Sequence, residues 1–202
     1  MSDHQKESSK TNENLTSKEE QQEQIAQLTE AIRINPNDPE THCKLGLFLQ
    51  ERGEIESAIA SFREAIQINP DYAEPHYNLG SILDLERGQL AEAIAEYREA
   101  IRLNPDKSLY HSILGTVLDY QFETGDIFER KTNRDGAIAE YQEAIRLNPE
   151  DAITHMALGR ILGAEEREKA IAVLQKAKEL FTQQGNNQVI KIIDYYLEDI
   201  EL

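Results

Sequence analysis

The sequence predicts an all-α protein, an α-solenoid of helical hairpins with a capping helix at each end. Three observations carry that expectation. A stop of the form Ile/Leu-Asn-Pro recurs at Ile34-Asn35-Pro36, Ile68-Asn69-Pro70, Leu103-Asn104-Pro105 and Leu147-Asn148-Pro149, at intervals of 34, 35 and 44 residues. On both sides of each stop the small and apolar residues return every three or four positions, the period of one helix face. No segment alternates with the two-residue period of a half-buried strand. Self-similarity at 20–50 residues marks an array of hairpins that bury their faces on one another.

Residues 1–16 are rich in Ser, Asn, Lys and Glu, and a disordered tail is expected there. Ser17 with Glu20 makes a capping box, with Leu15 as a staple. The helix it opens, within 17–36, carries Ile25, Leu28, Ala31 and Ile32 and reads as a half repeat that caps the array. Four repeats follow at 37–70, 71–105, 106–149 and 150–182. Each first helix carries His, Leu-Gly and Leu in one phase: His42, Leu45-Gly46, Leu49; His76, Leu79-Gly80, Leu83; His111, Leu114-Gly115, Leu118; His155, Leu158-Gly159, Leu162. A glycine inside a helix costs about 1 kcal/mol against alanine, so four in phase call for close contact with a partner helix. Each second helix carries Ala-aromatic-Ala: Ala58, Phe62, Ala65; Ala93, Tyr97, Ala100; Ala137, Tyr141, Ala144; a further copy has Leu174 between Ala170 and Ala177. Asp38 before Pro39 is placed to cap a helix, and Gly53 and Gly88 to turn between helices. Gly185-Asn186-Asn187 breaks the chain before an apolar last helix, 186–202, expected to cap the other end.

Two irregularities interrupt the rhythm. One extra residue between Gly80 and Gly88 suggests a π-bulge. The third repeat is ten residues longer than a 34-residue unit, within 121–136, where Phe122, Ile127 and Phe128 stand beside Arg130, Lys131 and Arg134. That insertion is either a partner contact, through Phe122, Phe128, Arg130 and Lys131, or a lengthened helix pair that packs on itself.

The Leu-Gly pair, the Ala-aromatic-Ala triplet and the closing proline together resemble the tetratricopeptide repeat over about residues 39–181. The family's first-helix tryptophan is histidine in every copy here, and its tyrosine is leucine. The resemblance implies a right-handed superhelix whose first helices line a concave groove for a segment of a partner protein. Projected onto this chain, that groove contains Cys43, Leu47, Gln50, Tyr77, Asn78, Ser81, Asp84, Ser112, Thr116, Asp119, Tyr120, Met156 and Arg160. Asn78 matches a groove asparagine of chaperone-binding members. The basic clamp of those members is missing, since its positions hold Cys43, Leu47, Leu109 and Ile113.

Composition narrows the function classes. The 202 residues carry 21 Lys and Arg against 38 Asp and Glu, a net charge of −17, which disfavours nucleic acid and anionic membranes as main partners. A single cysteine, Cys43, leaves no disulfide framework or zinc ribbon. No apolar signal segment or membrane-length run is seen, so an intracellular, cytoplasmic protein is expected. His42, His76, His111 and His155 recur one repeat apart, too far to share one ion. No phosphate loop, nucleophile elbow or zincin motif occurs, and no enzyme, cofactor or metal is expected. The expected function is a non-catalytic scaffold, adaptor or assembly factor binding a basic or amphipathic segment. The alternative is a self-associating structural protein joined through its end helices, where Tyr195 and Tyr196 lie.

Overall fold

The computed structural model describes residues 22–201, except 87, 127 and 128. The tail 1–16, the capping box of Ser17 and Glu20, Ile127 and Phe128 therefore fall outside the described residues. Everything regular within them is helical: α1 (22–34), α2 (Pro39–Glu51), α3 (Ile55–Ile68), α4 (Ala73–Leu85), α5 (Leu90–Leu103), α6 (Ser108–Thr124), α7 (Arg130–Leu147), α8 (Ala152–Leu162), a 3-10 turn (Gly163–Glu166), α9 (Arg167–Gln183) and α10 (Asn187–Glu201). Two compact units divide the chain, Met1–Gln89 and Leu90–Leu202.

In the first unit α2 pairs with α3, and α4 packs on α3. Phe62, with Ala58 and Ala65 on either side, is fully buried, a burial that contributes roughly 3 kcal/mol. A Cβ on Gly46 would stand 2.6 Å from the Phe62 ring, so the mid-helix glycine is the space the aromatic occupies. The same lock recurs in the second unit, where a Cβ on Gly115 would meet Tyr141 at 2.7 Å and one on Gly159 would meet Leu174 at 2.5 Å. There α6 pairs with α7 and α8 with α9, while α10 lies on α9 through buried Ile193 and Ile200 and a 2.6 Å Lys178–Asp194 ion pair.

The stops have a simple mechanism. The amide of Asn69 completes the last turn by donating to Ala65 O, and Asn104 and Asn148 do the same to Ala100 and Ala144. Proline then ends the ladder because it has no N–H to donate. Asn69 and Asn148 accept from the amides of Asp71 and Glu150, which bends the chain into the next helix. Asp38 caps α2 with Pro39 in its first turn, and Asp151 caps α8 by accepting from Ile153 and Thr154.

The histidines close the same junctions. Nε2 of His42 and of His111 stands 2.9 Å from the carbonyl of the proline six residues earlier, Pro36 and Pro105, and His76 reaches Pro70 at 3.4 Å. His155 departs from this, with Nδ1 2.9 Å from Asp151 O. All four rings are buried, each on its own local carbonyl; three of them close the turn before their helix, and His155 binds within its own first turn. Among the described residues no three metal-ligating side chains converge.

Gly53 (φ 74°) turns α2 into α3, with its amide on Gln50 O and that of Glu54 on Leu49 O. At Gly88 (φ 61°) the equivalent bonds run one residue wider, Gly88 to Asp84 and Gln89 to Leu83. The extra residue of the second repeat is thus taken up in the turn after α4. A π-bulge inside the helix does not occur, because the added residue comes after the last position that must keep its phase against α3.

The long third repeat resolves into a lengthened hairpin. α6 has 17 residues against 13 in α4, and α7 has 18 against 14 in α5. Phe122 is half-buried, whereas Arg130 and Lys131 are exposed. Arg134, largely buried, donates to Leu162 O (3.2 Å) at the end of α8 and pairs with Glu165 (3.1 Å), a cation at a helix C-terminus. Arg134→Ala is expected to cost about 1 kcal/mol and to speed proteolysis within 121–136; an unchanged cleavage rate would count against this anchoring.

Candidate interaction face

The side chains proposed as a partner surface lie on the first helices, α2, α4, α6 and α8. In the first unit Leu47, Gln50, Tyr77, Ser81 and Asp84 are half-buried, with part of each reaching solvent. Cys43 and Asn78 are different. Cys43 is 1% exposed, and Asn78, also buried, donates from Nδ2 to Cys43 Sγ at 3.7 Å. The carboxamide that matches a groove asparagine is therefore engaged inside the α2–α4 contact, behind the surface residues. Burial, reinforced by the charge of Glu74, pushes the Cys43 thiol up to about 11. Burial also raises the carboxyl of Asp84. With about a hundredfold less thiolate than at the ordinary value near 9, native Cys43 is expected to react with a thiol reagent far more slowly than the unfolded chain does. Equal rates would contradict this burial.

In the second unit two bonded clusters join α6 to α8. The first is Ser112, Thr154 and Asp151. Thr154 gives its hydroxyl proton to Asp151 Oδ2 (2.6 Å), so Ser112 donates to Thr154 Oγ1 (2.7 Å). The second centres on Asp119, only 3% exposed. Its Oδ2 accepts from Arg160 and from the Tyr141 hydroxyl (3.3 Å), while Arg160 also holds Glu123. Tyr141 reaches Thr116 as well (3.4 Å), and Asp119 Oδ1 is buried without a protein partner. Burial raises the Asp119 carboxyl above its ordinary 3.8, against the lowering effect of Arg160. Burial opposes the charge on Arg160, but Asp119 and Glu123 outweigh it and keep the guanidinium protonated. Burial likewise raises the Tyr141 phenol.

Thr116 and Tyr120 are exposed and Met156 is half-buried. Asp119 and Arg160, by contrast, mainly bind each other, so Asp119 offers little free charge to a partner. Glu123 escaped the sequence reading because its role depends on an arginine one repeat away. Ile153 was also missed, although it stands at the same distance from its histidine as Leu109 does.

Models of the TPR repeat match residues 49–84, 83–118 and 125–164, and a tetratricopeptide repeat model matches 28–60. The chain belongs to the tetratricopeptide repeat family. Its fold class is the all-α solenoid of tetratricopeptide repeat proteins, as the solved structures bear out. A crystal structure of MamA is 25% identical, with 80% of this chain and 88% of that one covered and a TM-score of 0.66. YrrB, described as a tetratricopeptide repeat protein with an unusual peptide-binding site, is 21% identical over 86% of this chain and 91% of its own, with a TM-score of 0.64. The pilF protein of Pseudomonas aeruginosa is 17% identical over 94% and 88%, with a TM-score of 0.67. A comparison with functionally curated proteins found no match. The tetratricopeptide fold is a protein-interaction fold, and among the described residues no helix is long and apolar enough to cross a membrane.

Proposed function

We propose that this tetratricopeptide repeat protein is a non-catalytic scaffold, adaptor or assembly factor of the cytoplasm that holds a segment of another protein against its first-helix faces. The observation that carries the reading is the disposition of its reactive side chains. The histidines, Cys43, Asn78 and Asp119 are buried and bonded to neighbours, whereas Tyr120, Thr116, Tyr77 and Leu47 keep surface on the same helices. Rigid aromatic anchors with a polar surround suit recognition better than chemistry.

A net charge of −17 favours encounter with a basic or amphipathic segment. Capture of partners by the wild-type chain, compared with a variant carrying Tyr77→Ala, Asp84→Ala and Tyr120→Ala, tests the reading. Capture is expected to fall at least tenfold, and equal capture would overturn it. Affinity that stays constant from low to high ionic strength would remove the charge argument alone.

Self-association is the second reading, favoured by the exposure of Ile192 and Tyr195 on α10. Sedimentation of the chain with and without residues 186–202 separates the two. A dimer that dissociates on removal of the helix supports self-association, and a monomer in both cases rejects it.

A further inference from the structure

We propose that the α6–α8 face of the second unit receives an amphipathic helix of a partner protein, flanked by Lys or Arg, and not an extended peptide; this rests on the interaction reading above. The register of the repeats shows the face. Two residues before each histidine stand Glu40, Glu74, Leu109 and Ile153. The first unit thus places carboxylates where the second places apolar side chains, and Leu109 and Ile153 are 43% and 64% exposed. Ile113 and Met156 continue the two stripes one turn further, both half-buried. Ser112 with Thr154, and Arg160 with Asp119, fasten the two helices together, so the stripes belong to one face. Exposed apolar residues gathered on one side of a protein mark an interaction site.

The form of the occupant follows from hydrogen bonding. An extended segment brings an N–H and a C=O per residue, and each needs a partner once covered. This face has few to give. Ser112 and Thr154 are engaged with each other, Thr116 donates to Ser112 O and lies 3.4 Å from the Tyr141 hydroxyl, and Ile113 and Ala157 occupy the register position of Asn78. No strand edge exists among the described residues to supply backbone partners. A helix satisfies its own backbone and presents only side chains, which makes it the occupant this face can cover at least cost.

Charge sets the flanks. Arg160 is engaged by two carboxylates, and Glu123 at one end of the face is exposed. At the other end α6 begins after Lys107, while α8 begins after Glu150 and the capping Asp151, one cation against two carboxylates. Cations at both ends of the bound helix complement this distribution.

The chain has no tryptophan, so a tryptophan-labelled probe reports binding alone. The probe is a designed peptide of about five helical turns, with leucines at helical spacing and lysines at both ends; its counterpart has two central residues changed to proline. The full-length protein is titrated as wild type and as Leu109→Glu/Ile153→Glu, which copies the first unit's own residues at exposed positions. The helical probe is expected to bind at least tenfold more tightly than the proline counterpart, and at least tenfold less tightly to the variant, whose melting curve stays that of wild type. Equal binding of the two peptides, or no loss in the variant, overturns the proposal. So does a dimer that dissociates in the variant, since the face would then belong to a second copy. Partner capture that survives Leu109→Glu/Ile153→Glu but not the Tyr77, Asp84 and Tyr120 changes would leave the interaction reading standing and remove this one.

Discussion

Gly115→Ala is expected to destabilise the protein by about 1–3 kcal/mol, the usual cost of overpacking a close-packed interior. The direction is informative because alanine is the better helix former by about 1 kcal/mol, and at an open helical position it would stabilise. Here the new methyl would lie 2.7 Å from Cδ1 of Tyr141. That ring cannot swing clear without breaking the bond of its hydroxyl to Asp119. Gly136 in α7 is the control: a Cβ there meets only Leu118 Cδ1, at 3.2 Å, the mobile end of a flexible side chain. Gly136→Ala is expected to be neutral or slightly stabilising. Urea denaturation of the two variants decides it, and a stabilising Gly115→Ala would mean the hairpins are not locked by these contacts.

Arg160→Met is expected to cost about 2 kcal/mol near pH 7, below the usual cost of breaking a fully buried pair because Arg160 is about one-third exposed. The cost should shrink in acid. Burial raises the Asp119 carboxyl in the folded protein, so folding takes up a proton there. The stability contributed by its protonated form is full below the unfolded value and is lost as pH rises through the raised native value. Without Arg160 the native value rises further, and the window above 3.8 in which pH erodes stability widens. Melting temperatures across pH 4–8 read this directly: wild type and variant should converge in acid and separate towards neutrality. A gap independent of pH would show that Arg160 matters only through packing.

The repeats were legible because hairpin packing imposes a phase on small, aromatic and apolar residues, and that phase survives in the spacing of Gly115, Tyr141 and their counterparts. The stops were legible because proline and asparagine each end a helix for a local reason. The partner surface was less so. A first helix divides its circumference between its own hairpin partner, the neighbouring repeat and solvent, and successive residues turn by about 100°. Helical phase alone therefore did not separate Cys43 and Asn78, which face the neighbouring repeat, from Tyr77 beside them. Nor could it pair Asp119 with Arg160, or choose between the partner contact and the lengthened helix pair offered for 121–136. Those outcomes depend on residues far away in the chain.

The equal lengthening of α6 and α7 has an implication for how such a chain tolerates change. Four residues are close to one full turn, so each arm gains about 6 Å while the side chains beyond the addition return nearly to their former bearing. Gains and losses that come in matched, turn-sized pairs should therefore keep the phase of the rest of the array, whereas removing the turn that holds Glu123 also takes away its bond to Arg160. A four-residue deletion in only one arm would leave its twin unmatched at the tip. Paired arms of this kind can thus carry added sequence in whole turns while the repeats on either side keep their phase.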